Sequence, residues 1–113
     1  MLGTVVPDQT APQIRALPPA ARARTGYCDG LAMDQAGTLF VTLPFANRIV
    51  AIDRDGRRST LVHDPAGTRI DFPTNLAWGG PDRRDLLGVS RGSGMIVCAR
   101  MSVPGLPAAN WLR

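Results

Sequence analysis

Two stretches of this sequence carry the same pattern of short apolar runs, one after the other along the chain. Leu31-Ala32 recurs as Leu76-Ala77, and Ile49-Val50 recurs as Ile96-Val97, at offsets of 45 and 47 positions. A period of about this length is typical of the four-stranded blades that make up β-propellers. A blade cannot bury both of its faces by itself, so each repeat needs a neighbour to pack against.

Apolar runs separated by turn residues predict seven strands in these repeats. They are Leu31–Met33, Leu39–Leu43, Arg48–Ile52, Thr60–His63, Leu76–Trp78, Leu86–Val89 and Met95–Arg100. The segments Asp34–Gly37 and Asp53–Gly56 begin with Asp and end with Gly, which favours tight turns between antiparallel strands. We therefore predict an all-β fold of two four-stranded antiparallel blades, with Trp78 packed between them.

The predicted organisation has four parts. Residues 1–24 are a proline-rich connector with a short strand near Gln13–Leu17, residues 25–64 form one blade, residues 65–107 form the last blade, and residues 108–113 are a tail. Closed propellers have at least about four blades, so two blades cannot close a ring. We therefore expect an incomplete ring that is completed by blades from another chain or by self-association.

The charged residues exclude several classes of partner. All 13 basic residues are Arg and all nine acidic residues are Asp, for a net charge of +4. The arginines are spread along the chain rather than clustered with stacking aromatics, which argues against nucleic-acid binding. No apolar run is long enough for a membrane span or a signal segment, so we expect a cytoplasmic protein with no membrane partner. Cys28 and Cys98 are predicted to be free thiols that fill the core.

The first repeat resembles a blade of the gluconolactonase/regucalcin (senescence marker protein) family. The likeness lies in residues 29–42 (DGLAMDQAGTLFVT) and 47–53 (NRIVAID), a pattern that NHL repeats share in part. In the second repeat, residues 73–82 (PTNLAWGGPD) and 103–107 (VPGLP) resemble the last blade and C-terminal tail of that family. The resemblance as a whole covers roughly residues 25–107.

The resemblance implies a six-bladed propeller that hydrolyses small-molecule sugar lactones or related esters. It also implies a divalent cation in the central channel, calcium or else zinc, magnesium or manganese, held by a Glu, an Asn and an Asp from different blades. The Asp position of this set, directly before a Gly at the start of an inner strand, is Asp29. The resemblance assigns Asp29 two roles, metal ligand and proton-transfer residue. A hard cation with oxygen ligands would polarise the lactone carbonyl.

The sequence departs from that ligand set. It contains no Glu, and none of Asn47, Asn75 and Asn110 precedes a Gly as the asparagine ligand of the family does. We therefore expect an incomplete active site and an inactive isolated chain. By the repeat, Thr74 and Asn75 occupy the positions of Asp29 and Gly30, so they are predicted to line the same channel mouth and to contact substrate.

Three other interpretations compete with a metal-dependent hydrolase. The segment Gly88–Gly92 (GVSRG) matches the nucleophile elbow of serine hydrolases, but a strand is predicted after it and the only His, His63, precedes it. That order excludes the serine mechanism. A non-catalytic interaction module of the NHL kind, with a purely structural Asp29, and an inactive truncated gene product both remain open. A metal titration separates the enzyme from the interaction module.

Overall fold

The computed structural model describes residues 11–22 and 24–107. Residues 1–10, 23 and 108–113, and with them parts of the predicted connector and the whole predicted tail, lie outside the described residues. Two short helices, α1 (Ala11–Arg15) and α2 (Pro19–Arg22), come first. The strands are β1 (Leu31–Met33), β2 (Leu39–Leu43), β3 (Arg48–Ile52), β4 (Arg58–His63), β5 (Pro73–Gly79), β6 (Asp85–Ser90) and β7 (Met95–Arg100).

The strands form two antiparallel sheets, each in sequence order. The first sheet has the order β1-β2-β3-β4 and the second has the order β5-β6-β7. The all-β prediction is confirmed, and each of the seven predicted strands is present with similar bounds. The second sheet has three strands among the described residues, one for each apolar run of the second repeat, although a four-stranded blade was predicted. Within the same residues no helix is long and apolar enough to cross a bilayer.

The predicted short strand at Gln13–Leu17 is wrong, because residues Ala11–Arg15 form helix α1. Pro12 lies in the first turn of this helix, where a missing N–H costs nothing. The N–H of Ala16 donates to the carbonyl of Pro12 at 3.2 Å, a helical bond. Pro18 follows and cannot extend the helix, so the segment ends after one turn and a half.

Both Asp-to-Gly turns have the predicted conformation. The Asp34 carboxylate accepts backbone N–H groups of Ala36 and Thr38, both at 2.9 Å. In the next hairpin the Asp53 carboxylate does the same for Asp55 and Arg57, at 2.9 and 2.8 Å. Each turn ends in a Gly with a φ of 84°. That backbone conformation is open to Gly and strained for other residues.

The two sheets pack face to face, and the main core lies between them. Phe40 and Ile49 of the first sheet meet Leu76 and Leu86 of the second, all at most 7% exposed. The sheets meet along β1, β2 and β5. A cavity of about 370 Å³ separates their outer parts, so the sheets form a wedge. Adjacent propeller blades have this shape because they converge on a central axis.

Trp78 joins the two sheets as predicted. Its ring meets the ring of Phe40 edge to face, with centroids 5.8 Å apart. Its indole N–H donates to the carbonyl of Met33 at 2.9 Å. The segment after β7 adds a second connection, because the N–H of Leu106 also donates to the Met33 carbonyl, at 3.0 Å. The two sheets are therefore tied together at the end that holds the Asp34 turn.

The prediction that both cysteines fill the core is half wrong. Both are free, but Cys28 is half-buried against the first sheet and Cys98 is exposed. Cys98 pairs with Leu87 on the face of the second sheet that points away from the first. The apolar run around Cys98 suggested burial, yet no described element covers that face.

Candidate functional site

Asp29 lies at the end of the first sheet opposite the Asp34 turn, two residues before the start of β1. Its N–H donates to the carbonyl of Thr42 at 3.2 Å, and the N–H of Thr42 donates to the carbonyl of Gly30 at 3.0 Å. These bonds fix the backbone of Asp29 as an extension of the β1–β2 ladder. The side chain of Asp29 is exposed. The residue therefore has a fixed backbone and an accessible carboxylate.

Thr42, which the sequence did not single out, ties this end of the first sheet to the second. Its hydroxyl accepts the N–H of Gly30 at 2.7 Å and donates to the carbonyl of Thr74 at 3.1 Å. Thr42 is fully buried. The Thr42 side chain thus holds Gly30, which follows Asp29, in register with Thr74, the first of the two predicted substrate-binding residues. The signal in the sequence is a polar residue inside the apolar run Leu39–Leu43.

Gly30 lets the two sheets approach closely at this point. A Cβ at Gly30 would lie 2.6 Å from the Cα of Asn75 and 2.6 Å from the carbonyl oxygen of Thr74, inside van der Waals contact. The backbones of residues 29–30 and 74–75 are therefore neighbours, as the repeat predicted. Thr74 is half-buried and Asn75 is exposed. The side-chain oxygen of Asn75 accepts the N–H of Leu76 at 2.9 Å, which leaves its NH₂ group for other partners.

The described residues do not by themselves complete a metal site. No group of three His, Cys, Asp or Glu side chains within residues 11–22 and 24–107 could hold a metal ion. Asp29 contributes one carboxylate, and the sequence has no Glu to contribute. Divalent cations such as Ca²⁺ take six or more oxygen ligands, several of them from the protein. The ligand set of this chain therefore does not fit a cation without ligands from elsewhere.

A larger cavity lies at the same end of the sheets, but apart from the predicted site residues. Its volume is about 640 Å³, and its lining includes the arginines of α1 and α2, Phe45 and Phe72. The two phenyl rings meet edge to face at 5.0 Å. Asp29, Thr74 and Asn75 do not line it. The cavity is therefore separate from the predicted site.

Ser90, the serine of the GVSRG segment, has a structural role. It is fully buried at the end of β6. Its hydroxyl accepts the N–H of Asp71 at 2.8 Å and donates to the carbonyl of the same residue at 3.1 Å. A turn and then β7 follow, where a nucleophile elbow would be followed by a helix. His63 is exposed on β4, with its ring 3.3 Å from the guanidinium of Arg48. The structure agrees with the exclusion of a serine hydrolase.

Residues 5–91 match the sequence family described as the SMP-30/Gluconolactonase/LRE-like region. The chain belongs to this family. The match takes in the whole of the first repeat and β5 and β6 of the second, so it includes Asp29, Thr42, Thr74 and Asn75. It also begins ahead of the segment that the sequence pattern had suggested. Membership in the SMP-30/gluconolactonase/LRE-like family confirms the resemblance inferred from residues 29–42.

Two solved structures are similar in part to this family member. A virginiamycin B lyase from Staphylococcus aureus matches at 18% identity with a TM-score of 0.39, and a streptogramin B lyase matches at 19% identity with a TM-score of 0.39. In both cases the match covers 74% of this chain and 28% of the other. The chain thus spans under a third of the length of these two structures. A search of curated proteins finds no match.

Proposed function

We propose that the chain supplies the Asp29-bearing blades of a divalent-metal-dependent hydrolase of sugar lactones or related esters. Family membership supports a propeller of the enzyme-like kind, and the environment of Asp29 supports the specific role. The carboxylates of Asp34 and Asp53 each accept two backbone N–H groups of their own turn. The carboxylate of Asp29 has no such bond to any described residue. Asp29 therefore does not cap a turn, which was the structural alternative.

In this proposal Asp29 is one cation ligand and the proton acceptor. An exposed carboxylate on a fixed backbone can accept a proton from a water molecule or a reacting hydroxyl at a constant position. Thr74 and Asn75 lie beside it and can donate hydrogen bonds to the hydroxyl groups of a sugar. The remaining cation ligands come from other blades of the ring, since this chain does not fit the cation alone.

The test is a completed propeller, made by co-expressing the chain with the front blades of a family member. We expect Asp29→Asn to lower the rate of gluconolactone hydrolysis by about 10²–10⁴-fold, the typical contribution of a positioned proton acceptor. It should also weaken cation binding in a calorimetric titration. The matched control is Asp53→Asn, which keeps the oxygen that accepts the turn N–H groups and should leave both quantities nearly unchanged.

The isolated chain gives a second measurement. We expect no lactone hydrolysis with calcium, magnesium, manganese or zinc, because one carboxylate cannot position a cation. Clear turnover by the isolated chain would show that its own residues complete the site. Full activity of Asp29→Asn in the completed propeller would instead remove Asp29 from the mechanism and favour a non-catalytic interaction module.

A further inference from the structure

The larger cavity, of about 640 Å³, lies where three parts of the chain meet. They are the helices α1 and α2, the turn between β2 and β3, and the loop of residues 65–72 before β5. Pockets for small molecules have volumes of about 300–1,000 Å³, so the cavity is large enough for a ligand. The proposed hydrolase does not use it, because none of its candidate residues lines this space.

Two arginines give the cavity its charge. Arg15 of α1 and Arg22 of α2 both line it, and neither guanidinium has a hydrogen bond or an ion pair with any residue in 11–22 or 24–107. Arg57 and Arg100, by contrast, are paired with aspartates. Asp71 is the one carboxylate among the described residues that line the cavity. Since a guanidinium stays protonated in proteins, the lining carries one positive charge in excess.

The backbone around both arginines is held in place. Ile14, next to Arg15, is completely buried and anchors α1. The N–H of Arg22 donates to the carbonyl of Pro18 at 3.0 Å, and the carbonyl of Arg22 accepts the N–H of Thr25 at 3.1 Å. The side chain of Arg22 is half-buried. A cation that is already positioned loses less conformational freedom when it binds a ligand.

Aromatic rings form another part of the wall. Phe45 and Phe72 both line the cavity, and their rings meet edge to face with centroids 5.0 Å apart. Phe45 also meets the ring of Tyr27 edge to face, at 5.3 Å. The guanidinium carbon of Arg91 lies 5.8 Å from the centroid of the Phe72 ring. These neighbours hold the two phenyl rings, which offer an apolar surface to a flat ligand.

Phe72 has a backbone conformation that supports a binding role. Its φ is 57°, which is strained for a bulky residue. The strain is held by two hydrogen bonds, from the N–H of Phe72 to Oδ1 of Asn47 at 2.9 Å and from the N–H of Arg91 to the Phe72 carbonyl at 3.1 Å. Strained residues of this kind cluster at ligand sites. Nδ2 of Asn47, which also lines the cavity, has no partner among the described residues and is available as a donor.

We propose that the larger cavity binds a small aromatic carboxylate. Arg15 and Arg22 bind the carboxylate group, and Phe45 and Phe72 pack against the ring system. Guanidinium and carboxylate groups match in geometry as well as in charge. The single excess positive charge fits the one negative charge of a carboxylate better than the two of a phosphate monoester, since Asp71 would repel the second.

The test is a titration of the full chain with 2-naphthoate and with its neutral amide, 2-naphthamide, followed by NMR. The two probes have the same ring system and differ in charge. We expect naphthoate to bind about tenfold more tightly, because hydrogen bonds to a charged group are roughly twice as strong as neutral ones. The backbone amide signals of Arg22, Phe45 and Phe72 should shift with the same saturation curve.

Variants of the charged residues separate the two parts of the interaction. Arg15→Gln and Arg22→Gln should each weaken naphthoate binding by about tenfold and leave naphthamide binding unchanged. Asp71→Asn should strengthen naphthoate binding, because it removes a like charge from the cavity. The matched control is Arg24→Gln, an exposed arginine that does not line the cavity and should have little effect. Unchanged spectra of the free variants confirm that they are folded.

A ring variant and four outcomes complete the test. Phe45→Leu keeps an apolar side chain but removes the ring, so it should weaken both probes. Equal affinities for naphthoate and naphthamide would show that the arginines do not bind the carboxylate. Equal losses in Arg24→Gln and Arg22→Gln would assign the effect to general charge. Binding without shifts at the cavity, or no saturable binding of either probe, would also contradict the proposal. None of these measurements depends on hydrolase activity.

Discussion

The two sheets present the same strand pattern in different surroundings. Ile49 in β3 and Ile96 in β7 are repeat equivalents, but Ile49 is 3% exposed and Ile96 is 71% exposed. Likewise Ala51 packs against the core between the sheets, whereas its equivalent Cys98 is exposed. The backbone pairing is the same in both sheets.

This difference shows that the burial of a blade residue is set by the neighbouring blade. An isolated blade alternates its side chains between two faces, and both faces are apolar in a propeller. A face becomes core when another sheet covers it. The first sheet has such a neighbour on the Ile49 side, and the second sheet has none on the Ile96 side among the described residues.

The largest expected effect is therefore a difference in stability between alanine substitutions at two repeat-equivalent positions. Ile49→Ala should lower the free energy of unfolding by about 2–5 kcal/mol, because it leaves a cavity in the core between the sheets. Ile96→Ala should change it by less than about 0.5 kcal/mol, because the side chain is on the surface. Denaturant unfolding at a dilution where the chain is monomeric gives both values. Similar losses at the two positions would mean that both faces are covered within one chain.

A smaller difference in stability is expected between substitutions in β2 and at the equivalent position in β6. Thr42→Val removes the hydroxyl that bonds Gly30 and Thr74 and leaves a buried N–H without a partner, at a cost of about 1–3 kcal/mol. The repeat equivalent of Thr42 is the exposed Val89, and Val89→Thr should change stability by less than about 0.5 kcal/mol. Thr42→Ser, which retains the hydroxyl, should recover most of the loss. A fully stable Thr42→Val variant would contradict the structural role of this hydroxyl.

The smallest expected effect concerns the loop that joins the two sheets. Hydrogen bonds from the N–H groups of Arg69 and then Ile70 lower the pKa of Asp64 from 3.8 to about 2. Because the folded state holds this proton more weakly than the unfolded state, Asp64 stabilises the fold above about pH 4. That contribution disappears as the pH falls to about 2.

Comparing the chain with Asp64→Asn by thermal unfolding tests this assignment. The two proteins should differ by a constant amount from pH 7 down to about pH 4, and the difference should shrink between pH 4 and pH 2. A difference that does not depend on pH would show that the carboxylate of Asp64 does not hold the loop.

The strands and turns could be predicted from the sequence because their causes are local. An Asp that accepts N–H groups two and four residues later, followed by a Gly at positive φ, forms its turn without help from distant residues. Asp34 and Asp53 both do this, and the strands on either side follow from apolar runs of suitable length. The position of Asp29 could also be predicted from local sequence, because Gly30 and the apolar run of β1 follow it. The family pattern, an Asp before a Gly at the start of an inner strand, points to the same residue.

The features that the sequence did not predict depend on residues far apart in the chain. The exposure of Cys98 depends on whether another sheet covers β7, which no local pattern reports. The bridge from Thr42 to Thr74 joins residues of different sheets, so a single Thr in an apolar run was the only local sign. The helix α1 was missed for a different reason, since Pro12 suggested irregular structure although a proline is well tolerated in a first helical turn.

The central claim is that the second sheet covers one face of the first, whereas no described residue covers the equivalent face of the second sheet. Thiol labelling tests this claim most directly. Cys98 reports on the face of the second sheet that points away from the first, and Ala51→Cys, made together with Cys98→Ala, places the same thiol at the equivalent position between the sheets. Cys28 is replaced by Ala in both proteins, so that each has one thiol. At dilutions where the chain is monomeric, we predict that Cys98 reacts with a thiol reagent faster than the thiol at position 51, because Cys98 is exposed and Ala51 is half-buried against the core between the sheets. Equal labelling rates at the two positions would contradict the account.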